Sequence, residues 1–512
     1  MIRNGVDCTI GILASCTVIS SIFSVSLLFP DMLIDAKYYF TCGAAIIVYL
    51  AWALRCLILP KCSDFSLEVW IESTIWAACS VQAIFFMLQK AGICQPYNEF
   101  GAGSFENVAG LSSCLSFSLL MGWNLLGKMS NIVRFAFYVS KAFCISAIVW
   151  SQSRTGILCV IAFFIIKFWP KNKKRWAIAM IPLLGLMALF CKVTSSKGRW
   201  FILQSSYEMI CKHPWFGWGK EGFIAHYMDI QADFFTQNPQ SEFTMIADNI
   251  HHPLNEWVAI IVDYGIVGAA VITIIVALTI FYALKHKNTD SQLGVSTLAI
   301  ICIFSLFSYP FQYPFTWLAL GYALCCIYRD ALKRYTKKIA ILCLCGVIPI
   351  GYNIFFDCMA DMKLKNIQDK VQCGLAENML TQYESLYPNL KDDKRFLYYY
   401  ATALFLSEHY REALKEAKNC QKHLADYELS LFLGDIFREL NQKDSTLFYY
   451  RRAHYMCPVR LTPLYEIYQT YKFDNDTTSC IKVQKLILHK RIKIKSKETE
   501  CIIQEIKNDK MN

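Results

Sequence analysis

Apolar residues in this chain come in repeated blocks of about twenty, the length at which a helix crosses the hydrocarbon core of a bilayer. Eleven such blocks are read: 7–29, 38–59, 67–89, 109–126, 133–150, 156–170, 176–192, 254–283, 293–310, 315–329 and 339–356. Of the 512 residues 55% are hydrophobic and only 18% charged, well short of the charge a soluble protein of this length carries. The spacing therefore predicts an all-α polytopic membrane protein of about eleven transmembrane helices. The long run 254–283 contains glycines that allow it to bend or re-enter.

Charge between the blocks orients them. With the N-terminus in the cytoplasm, the even-numbered connections hold Lys61, "GKMSNIVR" (127–134), "KNKKR" (171–175), "KHK" (285–287) and "RDALKRYTKK" (329–338). The odd-numbered connections, such as "QPYNEFGAGSFEN" (95–107), are poorer in Lys and Arg for their length. This asymmetry obeys the positive-inside rule and accounts for much of the +11 net charge, so no nucleic-acid partner is needed to explain it. "MIRN" precedes the first block without a small-residue cleavage site, as in a retained helix. The 23 cysteines lie mostly inside apolar blocks and show no zinc-ligand spacing, so neither a metal site nor a disulfide framework is expected.

The same topology predicts a membrane domain over 1–358 and a tail over 359–512, with a loop of roughly sixty residues, 193–253, and the tail both outside the cytoplasm. The tail carries a repeat. In "YYATALFLSEHYREALKEAKNC" (399–420), Ala401, Leu404, Tyr410, Ala413 and Ala417 fall at the small and aromatic positions of a tetratricopeptide helix pair. Gly434, Phe437, Ala453 and Pro458 match them one period later, Tyr468 and Tyr471 begin a third unit, and 364–390 is a leading one. Such units stack because none buries its apolar face alone. The basic end, "KLILHKRIKIKSKETE", reads first as a solvated helix face and second as a lipid-headgroup patch.

Three stretches carry candidate chemistry. Arg154 in "SQSRTG" (151–156) sits where one span ends and another begins, a depth at which a cation needs a partner or an anionic ligand. Ser151, Ser153, Thr155 and Gly156 make a small polar turn around it; the competing reading is an arginine snorkelling to headgroups. Arg199 and Trp200 open the large loop, and Trp200 to Ile210 has the pattern of a helix on the membrane surface. "HPWFGWGKEGF" (213–223) then breaks it with Pro214, Gly217, Gly219 and Gly222. These glycines serve either ordinary turns in an interfacial aromatic belt or a backbone that approaches a ligand closely. Last come His251, His252, Asn255 and Glu256, where an imidazole at the lip of a membrane cavity has a pKa suited to general-base work.

Taken in order, these stretches resemble the O-antigen ligase and polymerase superfamily of bacterial envelope glycosyltransferases over about 100–330. "SQSRTG" is similar to the family's Ser-x-Ser-Arg-(small)-Gly turn. "RWFILQSSYEMICKHPWFGWGKEGF" is similar to its loop pattern of Arg-Trp, then His-Pro-apolar-apolar-Gly-x-Gly and Phe. "LNEWVAIIVDYGIVG" resembles its His, Asn/Ser/Gln, nine residues and Gly-x-x-Gly, with Asn255, Gly265 and Gly268 in register. The family histidine falls at Leu254, so the resemblance leaves the imidazole to His252 or His251.

The resemblance implies a GT-C-like fold in the bacterial inner membrane with the repeat tail in the periplasm. It implies transfer of a glycan from an undecaprenyl-diphosphate carrier to an acceptor hydroxyl, inverting, with neither metal nor cofactor. Arg154 and Arg199 would bind the donor diphosphate, His252 or His251 would act as base, and Asn255, Glu256 and Ser153 would support them. Lys212 and Lys220 are weaker diphosphate candidates. The acceptor would be lipid A-core in a ligase, another repeat unit in a polymerase, or a protein hydroxyl in an O-oligosaccharyltransferase. The repeat tail would also offer a surface to a protein partner. A transporter or flippase of lipid-linked sugars is the reading from another class; the lack of repeated spans and the one-sided cluster of candidate residues count against it.

Overall fold

The computed structural model describes residues 2–58, 67–97, 101–168, 193–286, 289–493 and 496–509. These residues are helical throughout apart from turns and one isolated bridge, in line with the all-α expectation. Seven helices among them are long and apolar enough to cross a membrane: Gly5–Phe23, Ile34–Ile58, Leu67–Lys90, Asn131–Trp150, Glu256–Lys285, Asp290–Phe307 and Thr336–Gln372. The difference from eleven has identifiable sources. Two further apolar helices, Val108–Leu120 and Pro314–Ile327, are shorter than a bilayer core requires. Arg154–Phe168 has 15 residues, and the run 176–192 lies outside the described residues.

The chain divides into two compact units. The first comprises Met1–Cys191, Leu254–Glu256 and Ile272–Lys365. Its centre is the Val108–Leu120 helix, in which every residue from Gly110 to Leu120 is buried. Helices Leu67–Lys90, Asn131–Trp150, Arg154–Phe168, Thr289–Phe307 and Pro314–Ile327 all pack around it. Serine is tolerated in so apolar a place because its hydroxyl bonds back into its own helix: Ser112 Oγ donates to Val108 O and Ser116 Oγ to Ser112 O, both at 2.7 Å.

Each end of this short helix leaves backbone groups without partners in the helix, which polar side chains satisfy. Asn107 caps the start, its Oδ1 accepting from Ala109 N at 2.9 Å and Gly110 N at 3.0 Å. At the other end the buried Lys141 ammonium donates to Ser118 O and, at 2.9 Å, to Met121 O. Glu72 accepts from Gly122 N at 3.2 Å and from the Tyr322 hydroxyl at 2.7 Å. Lys37, 1% exposed, likewise donates to the carbonyls of Ser24, Leu33 and Ser104 at 3.1, 3.2 and 2.6 Å. These buried polar side chains thus supply partners to backbone groups within an apolar interior.

The second unit comprises Lys192–Pro253, Trp257–Val271 and Asn366–Asn512. Its C-terminal part is a series of helix–turn–helix pairs: Lys394–Leu406 with Tyr410–Gln421, Tyr427–Glu439 with Lys443–Met456, and Thr462–Phe473 with Thr477–His489. Ala376–Leu390 precedes them. The turn inside each pair places one residue in left-handed backbone: Glu408 at φ 63°, Asn441 at φ 55° and Asn475 at φ 56°. From 408 to 441 is 33 residues and from 441 to 475 is 34, so the period read from the small residues reappears in the turns. Ala401, Ala413 and Ala417 are fully buried and Leu404 nearly so.

At Gly434 an added Cβ would lie 2.4 Å from the Tyr450 ring, so this pair closes only around a hydrogen. Gly434→Ala is expected to cost about 1–3 kcal/mol by overpacking, seen as a lower thermal midpoint of the purified chain. An unchanged midpoint would show that the helices separate freely there.

Helix Gly222–Gln237 packs against Lys443–Met456. Gln231, 0% exposed, donates to Met456 O at 2.6 Å and Asp248 O at 3.0 Å. The Arg452 guanidinium bonds Asp229 Oδ1 at 2.9 and 3.1 Å and also pairs with Asp233. The 193–253 segment and the helical pairs are thus one body held by buried polar contacts as well as by the Phe201, Phe235 and Ala247 cluster, against which Tyr455 packs.

Candidate functional site

In the first unit, "SQSRTG" folds as a tight turn between two helices. Ser151 Oγ donates to Ile148 O at 2.7 Å, closing the preceding helix. Gln152 takes φ 55°, and Ser153 Oγ accepts from Gly156 N at 3.2 Å and lies in hydrogen-bond contact with Ser112 Oγ at 2.7 Å. A Cβ on Gly156 would meet Ser112 and Ile148 at 2.8 Å, so the glycine lets the new helix lie against the central one. Ser153 is buried as a cap, while Arg154, half-buried, is the first residue of the helix it starts. Its side chain stands at the positive end of that helix dipole, where positive potential accumulates and anions are stabilised.

Also in the first unit, Leu254, the position at which the resemblance places a histidine, has φ 56°. Left-handed backbone is uncommon for a branched apolar residue and is tolerated better by Asn or His. Asn255 follows it, and Glu256 opens the next helix, its Oε1 accepting from Phe311 N at 3.2 Å.

The second unit holds Arg199, both histidines and the glycine-rich stretch. Arg199 lies half-buried in the helix Val193–Lys212, two residues before the buried Phe201. Lys212 is exposed and paired with Glu208 at 2.9 Å; Lys220 is exposed.

The long apolar helix Glu256–Lys285 is broken at Gly265, whose φ of 68° and ψ of −172° are accessible essentially to glycine alone. The bend expected from the glycines of this run falls there. A break strands carbonyls on one side and amides on the other. Residues 214–219 satisfy both sets. Trp218 N donates to Val262 O and Gly219 N to Asp263 O, each at 2.9 Å, while Pro214 O accepts from Ile266 N at 2.8 Å and Trp215 O from Val267 N at 3.2 Å. The approach is too close for a side chain on either strand. A Cβ at Gly265 would lie 2.1 Å from Trp215 O, and one at Gly217 would lie 2.5 Å from the Asp263 carbonyl.

Close approach to a ligand was one of the sequence readings of "HPWFGWGKEGF"; in the structure Gly217 closely approaches the backbone of 262–263. Asp263, which the sequence reading passed over, binds the stretch a second time. Its Oδ1 accepts from Phe223 N at 3.0 Å, and the amides of Glu221 and Gly222 also bond its carboxylate, so it caps helix Gly222–Gln237, whose own preceding residue Glu221 makes no side-chain cap. A lone carboxylate in an otherwise apolar run was the available signal. The Trp218 indole donates to Met209 O at 2.9 Å and lies between the rings of His213 and His226, at centroid distances of 4.2 and 4.5 Å. Burial pushes His226 below its ordinary value against the opposing pull of Asp229.

The two adjacent histidines differ sharply. Burial lowers His252 to about 4, so it is neutral throughout the physiological range. His251 is half-exposed, and its Nε2 lies 2.8 Å from Asp426 Oδ2 at the start of helix Tyr427–Glu439. The structure thus places Ser153, Arg154, Asn255 and Glu256 in the first unit and Arg199, His251 and His252 in the second.

Residues 139–274 match the O-antigen ligase family, a range that takes in "SQSRTG", the interlocked glycines and the broken helix. They form an O-antigen ligase domain. No curated protein matches the chain. Among solved structures, the crystal structure of the APC/C hetero-tetramer Cut9–Hcn1 is similar at 11% identity over 92% of this chain and 83% of that one. Its TM-score of 0.25 carries no argument about fold. The O-antigen ligase domain supports a lipid-linked glycan transferase type of function, and together with seven spanning helices it marks a multi-pass membrane protein.

Proposed function

We propose that this chain transfers a glycan from an undecaprenyl-diphosphate carrier to an acceptor hydroxyl at the periplasmic face of the bacterial inner membrane, with the helical pairs serving as a periplasmic tetratricopeptide-like domain. The O-antigen ligase domain over 139–274 carries this reading. In the reaction the bond from the anomeric carbon to the diphosphate oxygen breaks, and a bond from that carbon to the acceptor oxygen forms with inversion. The acceptor proton passes to an imidazole, and undecaprenyl diphosphate leaves as an anion.

Arginine suits the leaving group because its planar guanidinium pairs phosphate oxygens two at a time and keeps its charge as negative charge develops. Arg154 and Arg199 are each assigned that role, Arg154 with the helix N-terminus behind it and Ser153 holding the turn. For the base, His251 is favoured over His252: it is accessible and oriented, whereas burial makes His252 a weak base. Asn255 and Glu256 support the start of the helix that follows.

A deletion strain tests the function through its products. Free lipid A-core with accumulated lipid-linked polymer would mark a ligase, single-repeat products a polymerase, and loss of glycoproteins an O-oligosaccharyltransferase. Lipid-linked sugar stalled on the cytoplasmic face would replace the transferase reading with a flippase. At residue level, Arg154→Ala and Arg199→Ala are each expected to lower transfer roughly 100-fold or more at normal protein levels. Wild-type transfer in both would remove the diphosphate role from these arginines.

A further inference from the structure

We infer that Asp426, a residue of the helical repeats, is a positioning residue for the transfer reaction, holding the His251 imidazole in the orientation and tautomer that a general base needs. The inference rests on the transferase reading above and on a geometry contained wholly within the second unit. Asp426 is buried, with 9% of its side chain exposed, while half of the His251 ring remains open. The two carboxylate oxygens have separate tasks. Oδ1 caps helix Tyr427–Glu439, accepting from Glu428 N at 2.7 Å and Leu429 N at 3.2 Å. Oδ2 faces the 193–253 segment, bonding Asn249 Nδ2 at 2.7 Å and His251 Nε2 at 2.8 Å.

Burial alone would push this carboxyl up, but the bonds from His251 and Asn249 outweigh it and hold it below the usual carboxylate range. An ionised carboxylate only accepts, so Nε2 carries the hydrogen, and in the neutral ring the lone pair is then on Nδ1. A buried anion that fixes one ring nitrogen while the other stays basic is the arrangement by which a carboxylate prepares an imidazole to take a proton from a hydroxyl. A bracket joining loop to repeats needs no such division: it would be served as well by a neutral amide, and it would not need the partner ring to remain half-open. Asn249 reinforces the arrangement, its Oδ1 accepting from Tyr427 N at 3.5 Å while its Nδ2 holds the same carboxylate oxygen as His251.

The test uses full-length protein in proteoliposomes, with undecaprenyl-diphosphate-linked glycan extracted from the deletion strain as donor and an acceptor extract from the same membranes. Asp426→Asn keeps an oxygen for the helix cap and removes the charge. It is expected to lower turnover at saturating donor on the order of 10- to 100-fold. The donor KM should stay within about twofold, and in a His251→Gln background the same change should cost less than about twofold more. The thermal midpoint should not move. Equal losses in both backgrounds, or wild-type turnover, would overturn the inference and leave the pair as a structural bracket. Should Asp426→Asn lower the midpoint, Asn249→Ala, which leaves the Asp426 cap in place, must show the same dependence on His251 or the inference falls. If the unaltered protein transfers nothing with these extracts while the deletion strain is normal, it is the transferase reading itself that fails.

Discussion

Gly265→Ala is expected to cost more than about 3 kcal/mol and to abolish transfer, the largest single-residue effect in the O-antigen ligase domain. Two costs combine. The backbone at φ 68° and ψ −172° excludes a side chain on its own account. A Cβ would also strike the Trp215 carbonyl at 2.1 Å, and that carbonyl is itself a hydrogen-bond acceptor for Val267. Relief of the clash must pull 214–219 away from the helix and expose the stranded groups on both sides of the break, each an unmet polar group in a place poor in water. Gly217→Ala should behave alike, because its φ is 70° and its Cβ would meet the Asp263 backbone from the other side. The measurement is the yield of monodisperse protein from membranes together with transfer by whatever protein is recovered. Normal yield and normal transfer from Gly265→Ala would mean that the break is not held as described.

Asp263→Ala should come second, at about 2–3 kcal/mol, with Asp263→Asn much milder. The carboxylate accepts from Phe223 N at 3.0 Å and faces the amides of Glu221 and Gly222, and alanine removes this acceptor while Gly222 N keeps Gly219 O. Asparagine retains one oxygen for them. The ordering of the two variants is the informative result. If Asn and Ala are equally damaging, the negative charge rather than the amide bonds is what the protein needs at this position, and the capping account fails. Protease sensitivity of the 213–223 segment in detergent distinguishes them, since a lost cap frays the start of helix Gly222–Gln237 before anything else opens.

Much of this architecture was legible from residue type and spacing. Apolar blocks announce spanning helices because the bilayer sets their length, and the repeat tail announces itself through small residues at a fixed period. The glycines of "HPWFGWGKEGF" were marked as either ordinary turn residues or places of close approach to a ligand, and Gly217 proves to be a place of close approach to backbone. That partner was hidden because it lies in the chain at 262–267, and no local pattern encodes a pairing between a loop and the middle of an apolar helix. Spacing put His252 ahead of His251, being nearer the family position; only folding shows that burial disarms His252 while Asp426, far along the chain, holds His251. Glu72, Lys141 and Asp263 each interrupt an apolar run, and that oddity was the signal that went unused. Fewer long helices than expected spans are seen among the described residues where helices are shorter than a bilayer is thick, because a buried helix answers to its protein neighbours rather than to lipid.

The Val108–Leu120 helix has a consequence for how the protein is made. At 13 residues it is about 20 Å long, and four of its residues are serines. A segment so short and so rich in hydroxyls has little reason to leave a translocation channel for lipid unaided. Its stability comes from Asn107, Lys141 and the ring of helices that surrounds it, two of which, Thr289–Phe307 and Pro314–Ile327, are synthesised nearly two hundred residues later. The centre of the membrane unit is therefore laid down early and completed late, and the partly built chain must be sheltered until its own far end arrives.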